Sequence, residues 1–225
     1  RINPNFGLEA LETAHIELLR ANDFKSNVYI RPLIYLGYGI MGLNHVKAPV
    51  NTAIAAWQWG SYLGDEGLEK GIRVKISSFT RNPVSSTMGK AKAAANYLNS
   101  QMAKYEAIEA GYEEALLLDE NGFIAEGSGE CFFIVRDGVL ISPPNDTSLE
   151  SITQGMVLEL AREAGIPIER RRITRDEVYI ADEAFFNRRN LFVLDAQARE
   201  VTEIRSALSF SGIHQVPHLV APHSW

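Results

Sequence analysis

Lys92 is the residue with the clearest chemical promise. It lies in Met88-Gly-Lys-Ala-Lys92-Ala-Ala-Ala-Asn96-Tyr97, a run of small residues that ends on an amide and a phenol. Downstream comes Ala125-Glu126-Gly127-Ser128-Gly129-Glu130, a carboxylate followed by a glycine-rich bend. A lysine amine condenses with an aldehyde, a phenol donates to a ring hydroxyl, and a carboxylate keeps a pyridine nitrogen protonated. Together these are the groups that a pyridoxal phosphate (PLP) site requires. Each alone is weak, because lysines in alanine-rich helices are usually solvated. The combination gives Lys92 its weight.

Four further features carry possible chemistry. In Tyr29-Ile30-Arg31 the two-residue period of a strand puts Tyr29 and Arg31 on one face, where a guanidinium beside a phenol can hold a carboxylate. A surface arginine on an edge strand is the plainer reading. Trp59-Gly60-Ser61-Tyr62 sets aromatic side chains around a glycine, as at a pocket between domains, although a core tryptophan is commoner. Glu126 matters only if it points inward; otherwise it is a turn residue. Ile152 and Thr153 open a helical stretch, and free amides with a hydroxyl at a helix start suit a phosphate. Most such starts merely cap the helix.

Other constellations fail. Gly127-Ser128-Gly129 lacks the glycine spacing of a nucleophile elbow. No dinucleotide or phosphate-loop fingerprint is present. His214, His218 and His223 lie in a stretch without periodicity, so no metal site is expected.

The elements that must position these residues follow from periodicity and punctuation. Leu8 to Asn22 has helical apolar spacing. Val28 to Leu36 is β-rich, with Pro32 demanding an edge or a bulge. Asn51 to Trp59 and Ile72 to Phe79 read as strands, and the glycine-punctuated segment 60–71 as a linker. Lys90 to Ala110 is alanine-rich and proline-free, hence a helix. Ala115 to Leu118 and Phe123 to Ala125, joined at Asn121-Gly122, form a hairpin; Cys131 to Val135 and Val139 to Ile141 repeat the device at Asp137-Gly138. Thr153 to Ala164 is a helix ended by Gly165, Ile166 to Ile173 a strand, Thr174 to Tyr179 a capped short helix, and Asp182 to Phe186 a strand. Hairpins with interspersed helices define an α+β chain.

Composition sets the outer limits. The 225 residues, 46% hydrophobic and 22% charged, suit a folded chain with a sizeable core. A net charge of −6 argues against a nucleic-acid partner. No apolar run approaches membrane-spanning length, so no membrane partner is expected. The single cysteine, Cys131, precludes an internal disulfide and fits a reducing, cytoplasmic setting. The sequence starts at Arg1 without methionine, so an organellar leader upstream stays open.

Read together, Val28-Tyr-Ile-Arg31-Pro-Leu-Ile34, Trp59-Gly-Ser-Tyr62-Leu-Gly64, Lys90 to Ser100, Leu118 to Glu130, and Asp137 to Pro144 with Ser151-Ile152-Thr153 resemble the branched-chain amino-acid aminotransferases. These are fold-type IV (class IV) PLP enzymes. The resemblance runs in order from about Leu8 to Phe186. It implies a partial small N-terminal α/β domain over 1–59, an interdomain loop over 60–71, and a large PLP-binding domain with a mixed-sheet, barrel-like core over 72–225. By the same resemblance Lys92, rather than Lys90, bonds the cofactor and serves as the proton-transfer base. Tyr97 partners the ring hydroxyl, Glu126 the ring nitrogen, and Ile152 and Thr153 the phosphate. Tyr29, Arg31, Trp59 and Tyr62 lie on the substrate side. The implied reaction moves an amino group from Leu, Ile or Val to 2-oxoglutarate, with amino acids and 2-oxo acids as small-molecule partners and a homo-oligomer as the assembly.

Three departures from the family pattern stand out. A preceding stretch with a phosphate-binding arginine is expected before Arg1. Cys131 stands where the family usually has asparagine. After Phe185-Phe186 the family has a Ser/Thr-Gly-Thr-Ala-Ala turn, whereas 187–199 contain no glycine, serine or threonine. An insertion or a disturbed reading frame accounts for this. The competing readings are therefore another fold-type IV enzyme (a D-amino-acid aminotransferase or an aminodeoxychorismate lyase) and an inactive, truncated or frame-disturbed relative.

Overall fold

A computed structural model describes residues 2–24, 27–59, 71–187, 191–195 and 203–208. The chain divides into two compact units, Arg1–Tyr62 and Leu63–Trp225.

The first unit contains α1 (Leu8–Asn22), β1 (Val28–Leu36) and β2 (Val50–Gln58). The strands pair antiparallel without a break, from Val28 opposite Gln58 to Leu36 opposite Val50. Pro32 is tolerated without a bulge because each strand of a two-stranded sheet has a free edge. α1 ends at Asp23, which adopts a left-handed φ of 46°. None of the described residues of this unit is buried. One helix on two strands offers too little surface for a closed core.

Among the described residues, the second unit holds two sheets. Strands β3 (Val74–Thr80), β4 (Glu114–Leu118) and β5 (Ile124–Gly127) form one in that order. β3 and β4 are parallel, which requires a crossover, and α2 (Tyr97–Glu109) lies between them in sequence. The other sheet has the order β11-β10-β9-β6-β7-β8. Its strands are β6 (Cys131–Arg136), β7 (Val139–Ser142), β8 (Ile168–Arg170), β9 (Glu183–Asn187), β10 (Leu191–Asp195) and β11 (Glu203–Leu208). Helix α3 (Ile152–Glu163) separates β7 from β8, and α4 (Arg175–Tyr179) precedes β9. Thr174 and Glu177 form a capping box at α4.

Strand alternation builds the core. On β6, Phe132 and Ile134 join Leu116, Ile124 and Phe186 in one cluster. Cys131 and Phe133 point the other way, to Leu140, Leu158, Ala161 and Phe185 beneath α3. Cross-strand aromatic pairs tie β6 to β9: Phe132 with Phe186 at 5.3 Å between centroids, and Phe133 with Phe185 at 4.9 Å. A third cluster packs Ala103 and Ala107 of α2 on Ala115 and Leu117. Phe132 is 1% exposed. Phe132→Ala is therefore expected to cost about 3–5 kcal/mol, read as a lowered urea midpoint with an unchanged slope.

Three sequence expectations are corrected. The helix expected from Lys90 begins at Tyr97, preceded by a 3-10 turn at Ala94–Asn96. The Asn96 amide donates to the carbonyls of Met88 (3.1 Å) and Ala91 (3.1 Å), so a side-chain clamp overrides alanine's helix propensity. The strand expected over Ile166 to Ile173 is regular only at Ile168–Arg170, where pairing with β7 lasts three residues. Glu126 belongs to strand β5, paired with Leu117, rather than to the bend after it.

Candidate active site

Glu126 is 8% exposed, so it points inward. The glycine after it is sterically required: a Cβ on Gly127 would lie 2.8 Å from Phe186 Cε1 and 3.2 Å from the Glu130 carbonyl. Glu126 Oε1 pairs with Arg81 Nη2 at 2.8 Å, and the Leu149 N–H also donates to the carboxylate. Burial raises the Glu126 pKa to about 7, against the opposing pull of Arg81, the Leu149 amide, Lys92 and Lys90. The carboxyl group thus titrates near neutrality and sits in the field of both lysines of the 88–97 segment.

That segment is anchored on both sides. Asn96 clamps it as described, and Lys90 donates to the Asn145 carbonyl and faces Glu150 at 3.5 Å. Lys92 Nζ stands 5.8 Å from the centroid of the Tyr97 ring. Lys92 itself is exposed, as are Ala91 and Ala93 to Ala95, whose methyl groups are too small to screen an amine. The small-residue run therefore gives access to the amine.

The 145–153 segment completes the group. Ser151 caps α3, its Oγ accepting from the Gln154 N–H (3.3 Å) and lying 2.8 Å from Thr153 Oγ1. The backbone N–H groups of Ile152 and Thr153 open the helix, where no intrahelical acceptor exists for them. Ile152 is 86% exposed, so its role can only be through the backbone. Cys131 hydrogen-bonds Ser151, and burial with the nearby Glu126 charge pushes its thiol up to about 12, which makes it chemically inert at neutral pH.

In the first unit, Tyr29, Arg31 and Trp59 come together on one face of the β1–β2 sheet. Tyr29 lies 4.6 Å from Trp59 and 4.9 Å from Trp57, and the Arg31 guanidinium sits 5.2 Å over the Tyr29 ring. Tyr62 and the tail histidines lie outside the described residues. Two participants escaped the sequence reading. Trp57 carried a usable signal, being two residues before Trp59 on the same strand face and directly opposite Tyr29. Arg81 carried none. Among the described residues no group of histidine, cysteine and acidic side chains could hold a metal ion, and no helix is long and apolar enough to cross a membrane.

The donor set fits PLP. A buried carboxylate whose desolvation outweighs its existing partners is satisfied by one more cationic donor, which a protonated pyridine nitrogen supplies. A primary amine, a phenol and a helix start with free amides lie on the elements around it.

A buried acid, an accessible lysine and an adjoining helix start thus share one α+β frame. The class IV amino-transferase family model matches residues 1–187, and the chain belongs to that family. The match ends at the first residue of the stretch that departs from the family pattern. A branched-chain-amino-acid aminotransferase of Pseudomonas aeruginosa is 47% identical over 187 residues, covering 83% of this chain and 58% of the relative. One from Escherichia coli K12 is 39% identical over 201 residues, covering 88% and 62%. The sequence thus spans about three-fifths of these relatives. Among solved structures, the Escherichia coli branched-chain amino acid aminotransferase superposes with a TM-score of 0.81 at 38% identity, covering 91% of this chain and 65% of that one. The T.th. branched-chain amino acid aminotransferase in complex with N-(5'-phosphopyridoxyl)-L-glutamate gives a TM-score of 0.76 at 42% identity, covering 83% and 60%.

Proposed function

We propose that this protein transfers the amino group of branched-chain L-amino acids to 2-oxoglutarate with PLP as cofactor. The observation that carries the reading is the inward-facing Glu126 carboxylate within the field of Lys92. The named relatives supply the substrate class.

In this reading Glu126 holds the ring nitrogen, Tyr97 the ring hydroxyl, and the amides of Ile152 and Thr153 the phosphate. The cofactor supplies an aldehyde that bonds amines and a ring that accepts the electrons released at the substrate α-carbon. Lys92 Nζ would hold the cofactor through its aldehyde carbon and, as a neutral amine, would take up the proton released at the substrate α-carbon. Its exposed position lets the amine exchange between these tasks. Arg31, steadied over the Tyr29 ring, binds or orients the substrate carboxylate, and Trp59 with Tyr62 flanks the aliphatic side chain. Trp57, stacked 5.6 Å from Trp59, extends that apolar wall.

Self-association belongs to the same reading. Tyr38, Met41 and Leu43 in the β1–β2 connection are 99%, 98% and 100% exposed, an apolar surface that a second copy of the chain would cover.

Added PLP is expected to develop an absorbance band near the visible edge, and L-leucine with 2-oxoglutarate to yield glutamate. Faster turnover of D-alanine, or lyase action on aminodeoxychorismate, would assign the site to another fold-type IV activity. Absence of any PLP band would leave only the scaffold.

A further inference from the structure

We propose that Arg81 is the positioning residue of this site: its guanidinium, braced by Ser100, holds the Glu126 carboxylate in place and favours its anionic form over the neutral acid. The inference rests on the reading of Glu126 given above. Arg81 follows β3 directly, and its N–H donates to the Leu118 carbonyl at 2.8 Å, which registers it against the end of β4. The side chain is buried, at 6% exposure. Nη2 meets Glu126 Oε1 at 2.8 Å, while Nη1 donates to Ser100 Oγ of α2 at 3.1 Å. The guanidinium thus spans from helix to strand with its orientation fixed at two points. An arginine stays charged at any accessible pH, so it is a permanent counter-ion for the acid.

A second ion pair, half-buried on its lysine side, shows why this one is more than a structural tie. Lys104 and Glu114 meet at 2.7 Å, and the other Glu114 oxygen accepts from the Ala115 N–H, so that carboxylate is spent on its own scaffold. Glu126 is arranged otherwise. It faces Arg81 from the end of β3, Lys90 and Lys92 from the 88–97 segment, the Leu149 amide from the loop before α3, and Cys131 from β6. Arg81 Nε, also buried, has no partner. Arg81 thus takes the scaffold side of Glu126, while the two lysines of the site place their charge on it as well. Without that cation, burial alone would drive Glu126 to its neutral acid, and a neutral acid cannot balance a protonated ring nitrogen.

The test pairs a titration with a binding cycle. The Glu126 carboxyl is followed by carbon-13 NMR in the chain without added cofactor, for the parent, Arg81→Gln and Arg81→Lys. Arg81→Gln is expected to move the titration upward by about one pH unit or more, with Arg81→Lys between it and the parent. PLP affinity, read by absorbance near pH 7.5, is expected to weaken about tenfold in Arg81→Gln and not to weaken further when Glu126→Gln is already present. Should Arg81→Gln fail to fold by circular dichroism, Arg81→Lys carries both arms. A Glu126 titration that stays put in a folded variant, or losses that simply add in the double variant, overturns the proposal. Absence of PLP binding in the parent would instead overturn the proposed function, leaving the titration to decide Arg81.

Discussion

Lys92→Ala is expected to abolish amino-group transfer, lowering turnover of L-leucine with 2-oxoglutarate by about a thousandfold or more. Two roles are lost at once, the covalent anchor and the proton carrier at the α-carbon. Borohydride treatment of the parent with PLP should fix the cofactor on the protein, and the variant should emerge unlabelled by mass spectrometry. Stability separates chemistry from folding here. Lys92 is exposed, and its contact is the Tyr97 ring at 5.8 Å, so its truncation should shift stability by no more than about 0.5 kcal/mol. Lys90→Ala provides the control, because Lys90 is engaged with Asn145 and Glu150. Labelling that persists in Lys92→Ala and vanishes in Lys90→Ala would transfer the role to Lys90.

The second large effect is on Glu126, and its sign follows from linkage. The folded-state pKa, about 7, lies above the ordinary carboxyl value of 4.5. The folded chain therefore holds this proton more tightly than the unfolded chain. Its contribution is fully present below pH 4.5 and is lost as pH rises through 7, a difference of about 3 kcal/mol. Unfolding by urea at pH 4.5 to 8, without cofactor, should show a steeper decline in the parent than in Glu126→Gln, in which Glu183, also raised by burial and by Asp182, still titrates. Glu106 does not confuse the window. Burial raises it, but hydrogen bonds from Ser77, Lys75 and Ser78 outweigh that and hold it at about 2, so it acts below pH 4.5. With PLP added, Glu126→Gln should bind more weakly and turn over roughly a hundredfold more slowly, since an amide cannot balance a protonated ring nitrogen. A Glu126→Gln variant with parental turnover would remove the carboxylate from the site.

Both predictions rest on residues found by type and spacing, although Lys92 stands on a loop rather than in the expected helix and Glu126 inside β5 rather than after it. Two-residue alternation is a local property, so β1, β2, the β4–β5 and β6–β7 hairpins and the opposed faces of β6 were all readable from short windows. Tyr29 and Arg31 on one face, and Ser151 ahead of α3, follow from the same local rules. Other features were settled by contacts between residues far apart in sequence. The 88–97 segment is a clamped loop because Asn96 reaches back to Met88 and Ala91, an energy that helix propensity does not include. That Glu126 points inward depends on pairing with Leu117 and on Phe186 filling the space over Gly127. Arg81 was invisible for the same reason. A lone arginine eleven residues before Lys92 has no periodic signature, and its meaning comes from Leu118, Ser100 and Glu126 meeting around it. Sequence by itself determined which chemical groups are present and which face of its own element each one takes. The tertiary structure alone decided which are buried and which charges face one another, because desolvation and Coulomb interaction depend on distance through space rather than along the chain.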